Sequence, residues 1–124
     1  MKTKNIYLAG GFKSGWQTIV KEACPDFTYF DPSLHQILDP AEYTECDLNG
    51  VRECDIIFAF MENSNPAGYA LALEIGYAKA LGKQTIFVEN ELDNPKKRYF
   101  DMVRHACDQN FQSLNEAVKY LQTI

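Results

Sequence analysis

The stretch from Gly68 to Lys83, GYALALEIGYAKALGK, holds one carboxylate in an almost wholly apolar run. Glu74 lies between Leu73 and Ile75, one helical turn from Ala70, Leu71, Tyr77 and Ala78. Burying an ionised carboxylate without partners is costly. Glu74 is therefore paired, protonated or set in a pocket wall, unless it belongs to a thin polar stripe with Lys79 and Lys83. The carboxylates that could join it include Asp47, Asp55 and Asp101, and the aromatic residues available beside them include Tyr7, Phe12, Trp16 and Tyr77. Carboxylates next to aromatic faces, without a metal motif, suit glycosidic chemistry on a flat leaving group. One carboxylate attacks an anomeric carbon and a second acid manages the proton.

Other chemistries find less support. The G-x-G-x-x-G and G-x-x-x-x-G-K-[ST] patterns are missing, which argues against a nicotinamide cofactor or a nucleoside triphosphate at the first turn. No serine sits in a G-x-S-x-G elbow. Four cysteines are widely spaced with no C-x-x-C pair, and His35 and His105 stand at no ligand spacing from them. Neither a metal nor a disulfide framework is expected, and reduced, packed thiols are the default. No cofactor is expected.

The elements that must position these groups follow from patterning. At 124 residues, 46% hydrophobic and 23% charged, the chain reads as a single globular domain over residues 1–124. A net charge of −5 argues against nucleic acid or an anionic membrane as the main partner. No apolar run approaches a membrane span. Met1 to Asn5 leads into a strand with no signal-peptide core, so a cytoplasmic protein is expected.

Strands are predicted at Asn5–Ala9, Phe27–Phe30, Ile56–Phe60 and Gln84–Val88, with Asn110–Gln112 as a short edge strand. Helices are predicted over Lys13–Ala23, over Ala41–Glu53 behind an Asp39-Pro40 cap, and over Gly68–Leu81 ending at Gly82. A further helical segment follows the basic cluster Lys96-Lys97-Arg98, read as solvated surface. The last helix opens at the Ser113-x-x-Glu116 capping box. Ser33–Pro40 and Glu89–Pro95 read as loops, and the Gly68 helix is expected to lie beneath other elements.

Alternating strands and helices imply an α/β fold: a flavodoxin-like, doubly wound, five-stranded and mostly parallel sheet with helices on both faces. Ligands in such sheets bind beyond the carboxyl ends of the strands, at the topological switch point. That places Gly10-Gly11-Phe12, Asp31–Asp39 and Met61–Gly68 around one crevice, into which Glu74 would look sideways.

Three segments in order resemble one family, the nucleoside 2-deoxyribosyltransferases. Asn5-Ile6-Tyr7-Leu8-Ala9-Gly10-Gly11-Phe12 resembles its opening, and Cys46-Asp47-Leu48-Asn49-Gly50-Val51 its D-L-N-G-I helix segment. Leu73-Glu74-Ile75-Gly76-Tyr77-Ala78 resembles its E-[LI]-G-Y-A nucleophile helix. The resemblance implies that Glu74 is the nucleophile and attacks C1′ of a 2′-deoxynucleoside. A covalent deoxyribosyl-enzyme would be resolved by a second base with retention. Asp47 would shuttle the proton of the leaving base, Tyr7 would bond or orient Glu74, and Gly10 and Phe12 would help wall the base site. The implied partners are 2′-deoxynucleosides and free nucleobases, with a homo-oligomer whose neighbouring subunit completes each site.

Some positions depart from the family pattern. The acidic or serine residue that holds the 5′ end of the sugar is replaced by Gly68, leaving Asn63, Ser64 or Asn65 to take over. Asp101 stands, by spacing, where the family borrows a 5′-hydroxyl contact from a neighbour. An Asp there accepts from a hydroxyl and repels a phosphate, which favours nucleosides. Two rival readings remain: an N-glycosidase of 2′-deoxynucleoside 5′-monophosphates, and a non-catalytic nucleotide-sensing domain.

Overall fold

The computed structural model describes residues 3–124; Met1 and Lys2, which open the stretch read as leading into the first strand, lie outside the described residues. Five strands, β1 (Asn5–Gly10), β2 (Thr28–Phe30), β3 (Ile56–Glu62), β4 (Gln84–Asn90) and β5 (Gln109–Phe111), form one sheet in the order β2-β1-β3-β4-β5. Every pairing is parallel. The order reverses beside β1, so the carboxyl ends of β1 and β3 part to leave a crevice.

The strands are apolar because both faces are covered. Ile6 and Leu8 of β1, Ile56, Phe58 and Phe60 of β3, and Ile86 and Val88 of β4 face one way. Helices α1 (Trp16–Ala23) and α6 (Leu114–Leu121) close that side with Trp16, Val20, Val118 and Leu121. The alternate residues Tyr7, Ala9, Ile57, Ala59, Met61 and Phe87 face helices α2 (Pro40–Glu53) and α3 (Tyr69–Ala80) on the other side. The site belongs to this second face.

Caps fix the ends. Asp39 accepts the Glu42 N–H at 3.0 Å to start α2, and Ser113 accepts the Glu116 N–H at 3.2 Å to start α6. Helix α3 stops in a Schellman turn at Gly82, with φ +76. There Gly82 N–H meets the Lys79 carbonyl and Lys83 N–H the Ala78 carbonyl, each at 3.0 Å.

Several boundaries differ from the sequence expectation. Helix α1 begins at Trp16 rather than Lys13 because Gly15 is left-handed, with φ +77. The edge strand sits one residue earlier than expected, and β4 runs on to Asn90, so Glu89 is buried rather than in a loop. The segment after Pro95 breaks at Phe100 into α4 (Lys96–Tyr99) and α5 (Asp101–Ala106). Helix α3 is not buried all round: Leu71, Glu74, Ile75 and Ala78 face inward, while Tyr69 and Leu73 are 84% and 60% exposed. Gly76 and Ala80 continue that open stripe. Among the described residues no helix is long and apolar enough to cross a membrane.

Candidate active site

Beyond the ends of β1 and β3 lies a cleft of about 360 Å³ whose walls include Gly10, Phe12, Asp47, Asn65, Gly68 and Glu74. Its floor depends on glycine. A Cβ on Gly10 would stand 2.6 Å from the Phe60 carbonyl oxygen and 2.9 Å from the Trp16 ring. The chain then turns outward, and the Gly11 carbonyl accepts both the Trp16 indole N–H and the Gln17 amide at 2.9 Å. Two donors on one carbonyl hold Phe12, 60% exposed, at the mouth.

Glu74 enters from the inner face of α3 and is 8% exposed. The Tyr7 hydroxyl, from the neighbouring face of β1, donates to Glu74 Oε2. Tyr7 is fully buried, and its ring stacks on Phe30 at 5.3 Å and 8°. Burial pushes the Glu74 carboxyl up to about 7; the Tyr7 hydrogen bond opposes this and the nearby Asp47 charge adds to it. Burial and the adjacent Glu74 push the Tyr7 hydroxyl far above its usual range, so it stays a donor. A carboxylate poised near neutrality, with one oxygen held and its surroundings dry, is suited to nucleophilic attack.

Asp47 reaches the cleft from α2 with its side chain 20% exposed, and its Oδ1 is 2.8 Å from His35 Nε2. Cys46 completes a trio whose potential ligand atoms lie within 4.8 Å of one another, although the sequence spacing of His35 and Cys46 suggested no such meeting. Asn65 accepts the Ala67 N–H at 3.3 Å and lies beside Gly11. Its loop is braced from outside by Lys96, whose ammonium donates to the carbonyls of Asn63 and Asn65 at 2.6 and 2.5 Å. Lys96 is thus half-buried, unlike Lys97 and Arg98.

Gly68 is the N-cap of α3 and is left-handed, with φ +73. A Cβ there would meet the Phe100 ring at 2.7 Å and Met61 Sδ at 2.8 Å. Backbone conformation and packing together disfavour a side chain here, since Phe100 and Met61 would have to shift, and the α3 N-terminus opens on the cleft without a side-chain cap.

The fold brings Tyr7, Gly10, Phe12, Asp47, Asn65, Gly68 and Glu74 to one place, Tyr7 lying just behind the cleft wall. Asn63 is not part of the cleft lining: its side chain holds the Glu91 carbonyl at 3.0 Å and the Asp93 N–H at 2.9 Å. Asp101 also lies outside, 61% exposed on α5, where it pairs with Arg104 at 2.7 Å. Arg104 in turn grips buried Glu89 through bonds of 2.5 and 2.6 Å. Trp16 and Tyr77 are absent from the cleft, Trp16 packing in the opposite core and Tyr77 accepting from Arg52 at 3.1 Å. Asp55 caps the far end of the sheet by accepting the Asn5 N–H at 2.8 Å. His35 is the residue the sequence did not single out. It sits in a loop 12 positions from Asp47, and no periodicity links the two.

No curated protein sequence matches significantly. Among solved structures, the 2-desoxiribosyltransferase from Leishmania mexicana superposes with a TM-score of 0.72 at 19% identity, over 96% of this chain and 97% of that one. The CMP N-glycosidase BcmB of Clostridium botulinum superposes with a TM-score of 0.68 at 19% identity, over 98% of this chain and 100% of that one. At such identities these neighbours share the fold. The family model described as nucleoside 2-deoxyribosyltransferase like matches residues 3–92, a span that contains Tyr7, Asp47 and Glu74. With well over half of its length matched, the chain belongs to the nucleoside 2-deoxyribosyltransferase-like family.

Proposed function

We propose that the protein transfers 2-deoxyribose between nucleobases through a covalent ester on Glu74, for nucleoside salvage. The observation that carries this reading is the buried Glu74 carboxyl opening on a cleft, held by Tyr7 and accompanied by Asp47. An oxygen lone pair of ionised Glu74 forms the bond to C1′ as the C1′–N bond breaks. Its electron pair passes to the base nitrogen, and Asp47 supplies the proton that lets the base leave. A second base then attacks C1′, Glu74 departs as carboxylate, and Asp47 takes the proton back. Two inversions give retention. The sugar's missing 2′-hydroxyl eases the oxocarbenium-like transition state, so one positioned carboxylate suffices.

Charge supports an unphosphorylated substrate. Among the described residues the walls of the cleft carry two carboxylates and no cation, Lys96 is occupied by backbone carbonyls, and Arg104 by Glu89 and Asp101. A second reading, an N-glycosidase acting on a 5′-monophosphate with water as acceptor, draws support from the uncapped N-terminus of α3 at the cleft. The name of the Clostridium botulinum neighbour points the same way.

Residues 1–124 act as one cytoplasmic domain whose partners are 2′-deoxynucleosides and free bases, not nucleic acid or membrane. The exposed stripe of Tyr69, Leu73, Gly76 and Ala80 suits a homo-oligomer, which would bring a neighbour's residues to the open side of the cleft.

The test is base exchange. Protein incubated with 2′-deoxyinosine and adenine should yield 2′-deoxyadenosine, and Glu74→Ala should not. Free base and sugar without exchange, or turnover confined to 5′-monophosphates, would favour the glycosidase.

A further inference from the structure

His35 is neither in the cleft lining nor part of the chemistry described so far, yet its placement is unusually determined. Asp31 starts a short turn by accepting the Ser33 N–H at 3.0 Å, and Lys21 holds Asp31 from α1 at 2.7 Å. The turn covers Pro32–Leu34 and hands the chain to His35. Gln36 then adopts φ +54, a left-handed conformation that a non-glycine residue rarely takes. That bend returns the Ile37 N–H to His35 Nδ1 at 3.0 Å. Such strain persists only where its surroundings enforce it, and it gathers at functional sites.

The consequence is chemical. Because Nδ1 accepts from Ile37, the ring proton of neutral His35 sits on Nε2, 2.8 Å from Asp47 Oδ1. The imidazole therefore donates to Asp47, leaving Oδ2 as the oxygen that can serve a base. We infer that His35 is a positioning residue that stabilises the Asp47 carboxylate as it forms. The inference rests on the glycosyl-transfer reading above.

The step starts from the arrangement in which the pair of carboxyls holds one proton, on Asp47 Oδ2, with Glu74 as the anion. As the C1′–N bond breaks, Glu74 becomes a neutral ester, the proton passes from Oδ2 to the base, and the negative charge moves onto Asp47. The His35 bond changes from neutral to charge-assisted during that movement, so it tightens along the reaction rather than in the ground state. In the second half-reaction the same bond holds the carboxylate that accepts the proton of the incoming base.

The test separates this role from a merely structural one by the leaving group. An N7-methylated purine already carries the positive charge that protonation would supply, so 7-methyl-2′-deoxyguanosine releases its base without an acid. Base release is followed in a single turnover without acceptor, for that donor and for 2′-deoxyinosine. Relative to wild type, His35→Ala should slow release from 2′-deoxyinosine about 10- to 100-fold and from the methylated donor less than about 3-fold. His35→Gln, whose amide can still donate, should recover part of the loss. Equal slowing of both donors, or slowing of neither, would overturn the inference. If the wild-type protein releases base from neither donor, the transfer reading itself fails and takes this inference with it.

Discussion

Tyr7 on β1 donates its phenolic hydrogen to Glu74 on α3, joining two buried side chains 67 residues apart across the packed face of the sheet. The bond favours the ionised form of Glu74, against burial, which favours the neutral one. The site is thus a balance between desolvation and one hydroxyl.

Removing that hydroxyl should tip the balance. The step needs Glu74 ionised and Asp47 protonated together, one proton on the pair. With Glu74 near 7, kcat/KM for base exchange should therefore fall as pH rises through about 7, where that last proton leaves. In Tyr7→Phe the limb should move to higher pH and activity at pH 7 should fall by about 10-fold or more. A pH–rate profile of both proteins checks this; an unmoved limb would detach Tyr7 from the nucleophile.

Glu74 should also carry a cost in stability. Its carboxyl is raised from 4.5 to about 7 on folding, so the folded state binds the extra proton between those values. Stability contributed by the neutral form is intact below pH 4.5, falls as pH rises to about 7, and is flat above, a difference on the order of 3 kcal/mol. Glu74→Gln should abolish exchange, on the order of 10⁴-fold, while melting higher than wild type at pH 8. That gain should shrink towards pH 5 in thermal scans.

Much of this was legible beforehand. Apolar runs such as Ile56–Phe60 announced buried parallel strands, and a lone carboxylate in an apolar helix singled out Glu74. Asp47 and Tyr7 were candidates among several carboxylates and aromatic residues, and only a family resemblance gave them roles, because nothing local sets them apart. The rest is tertiary. His35 meets Asp47 through a bent loop, Lys96 braces a loop 31 residues away, and Glu89 hides in a strand because Arg104 covers it from α5. Such partners are chosen by the fold, and no period in the sequence encodes them.

The Glu89–Arg104 pair makes its own prediction. Glu89 is 1% exposed, so Arg104→Met strands a buried carboxylate and should lower stability by about 3–5 kcal/mol in urea titration. Adding Glu89→Met should restore most of the loss, since an apolar pair needs no counter-charge.

Gly68 should resist restoration of a side chain. Gly68→Ala combines a left-handed backbone with overlap on Phe100 and Met61, and should cost about 2 kcal/mol or more. Gly68→Asp should lower the melting temperature at least as much without raising activity. A stable, more active aspartate variant would contradict the packing argument.

The most direct measurement is the fate of the sugar in the first half-reaction. Protein mixed with sugar-labelled 2′-deoxyinosine and no acceptor is quenched in acid within one turnover, digested and mapped by mass spectrometry. The account predicts base released in stoichiometric amount and deoxyribose esterified to the peptide at Glu74, with the label chased into 2′-deoxyadenosine by added adenine. Base release with the sugar free in solution at every time, or bound at another residue, would contradict it.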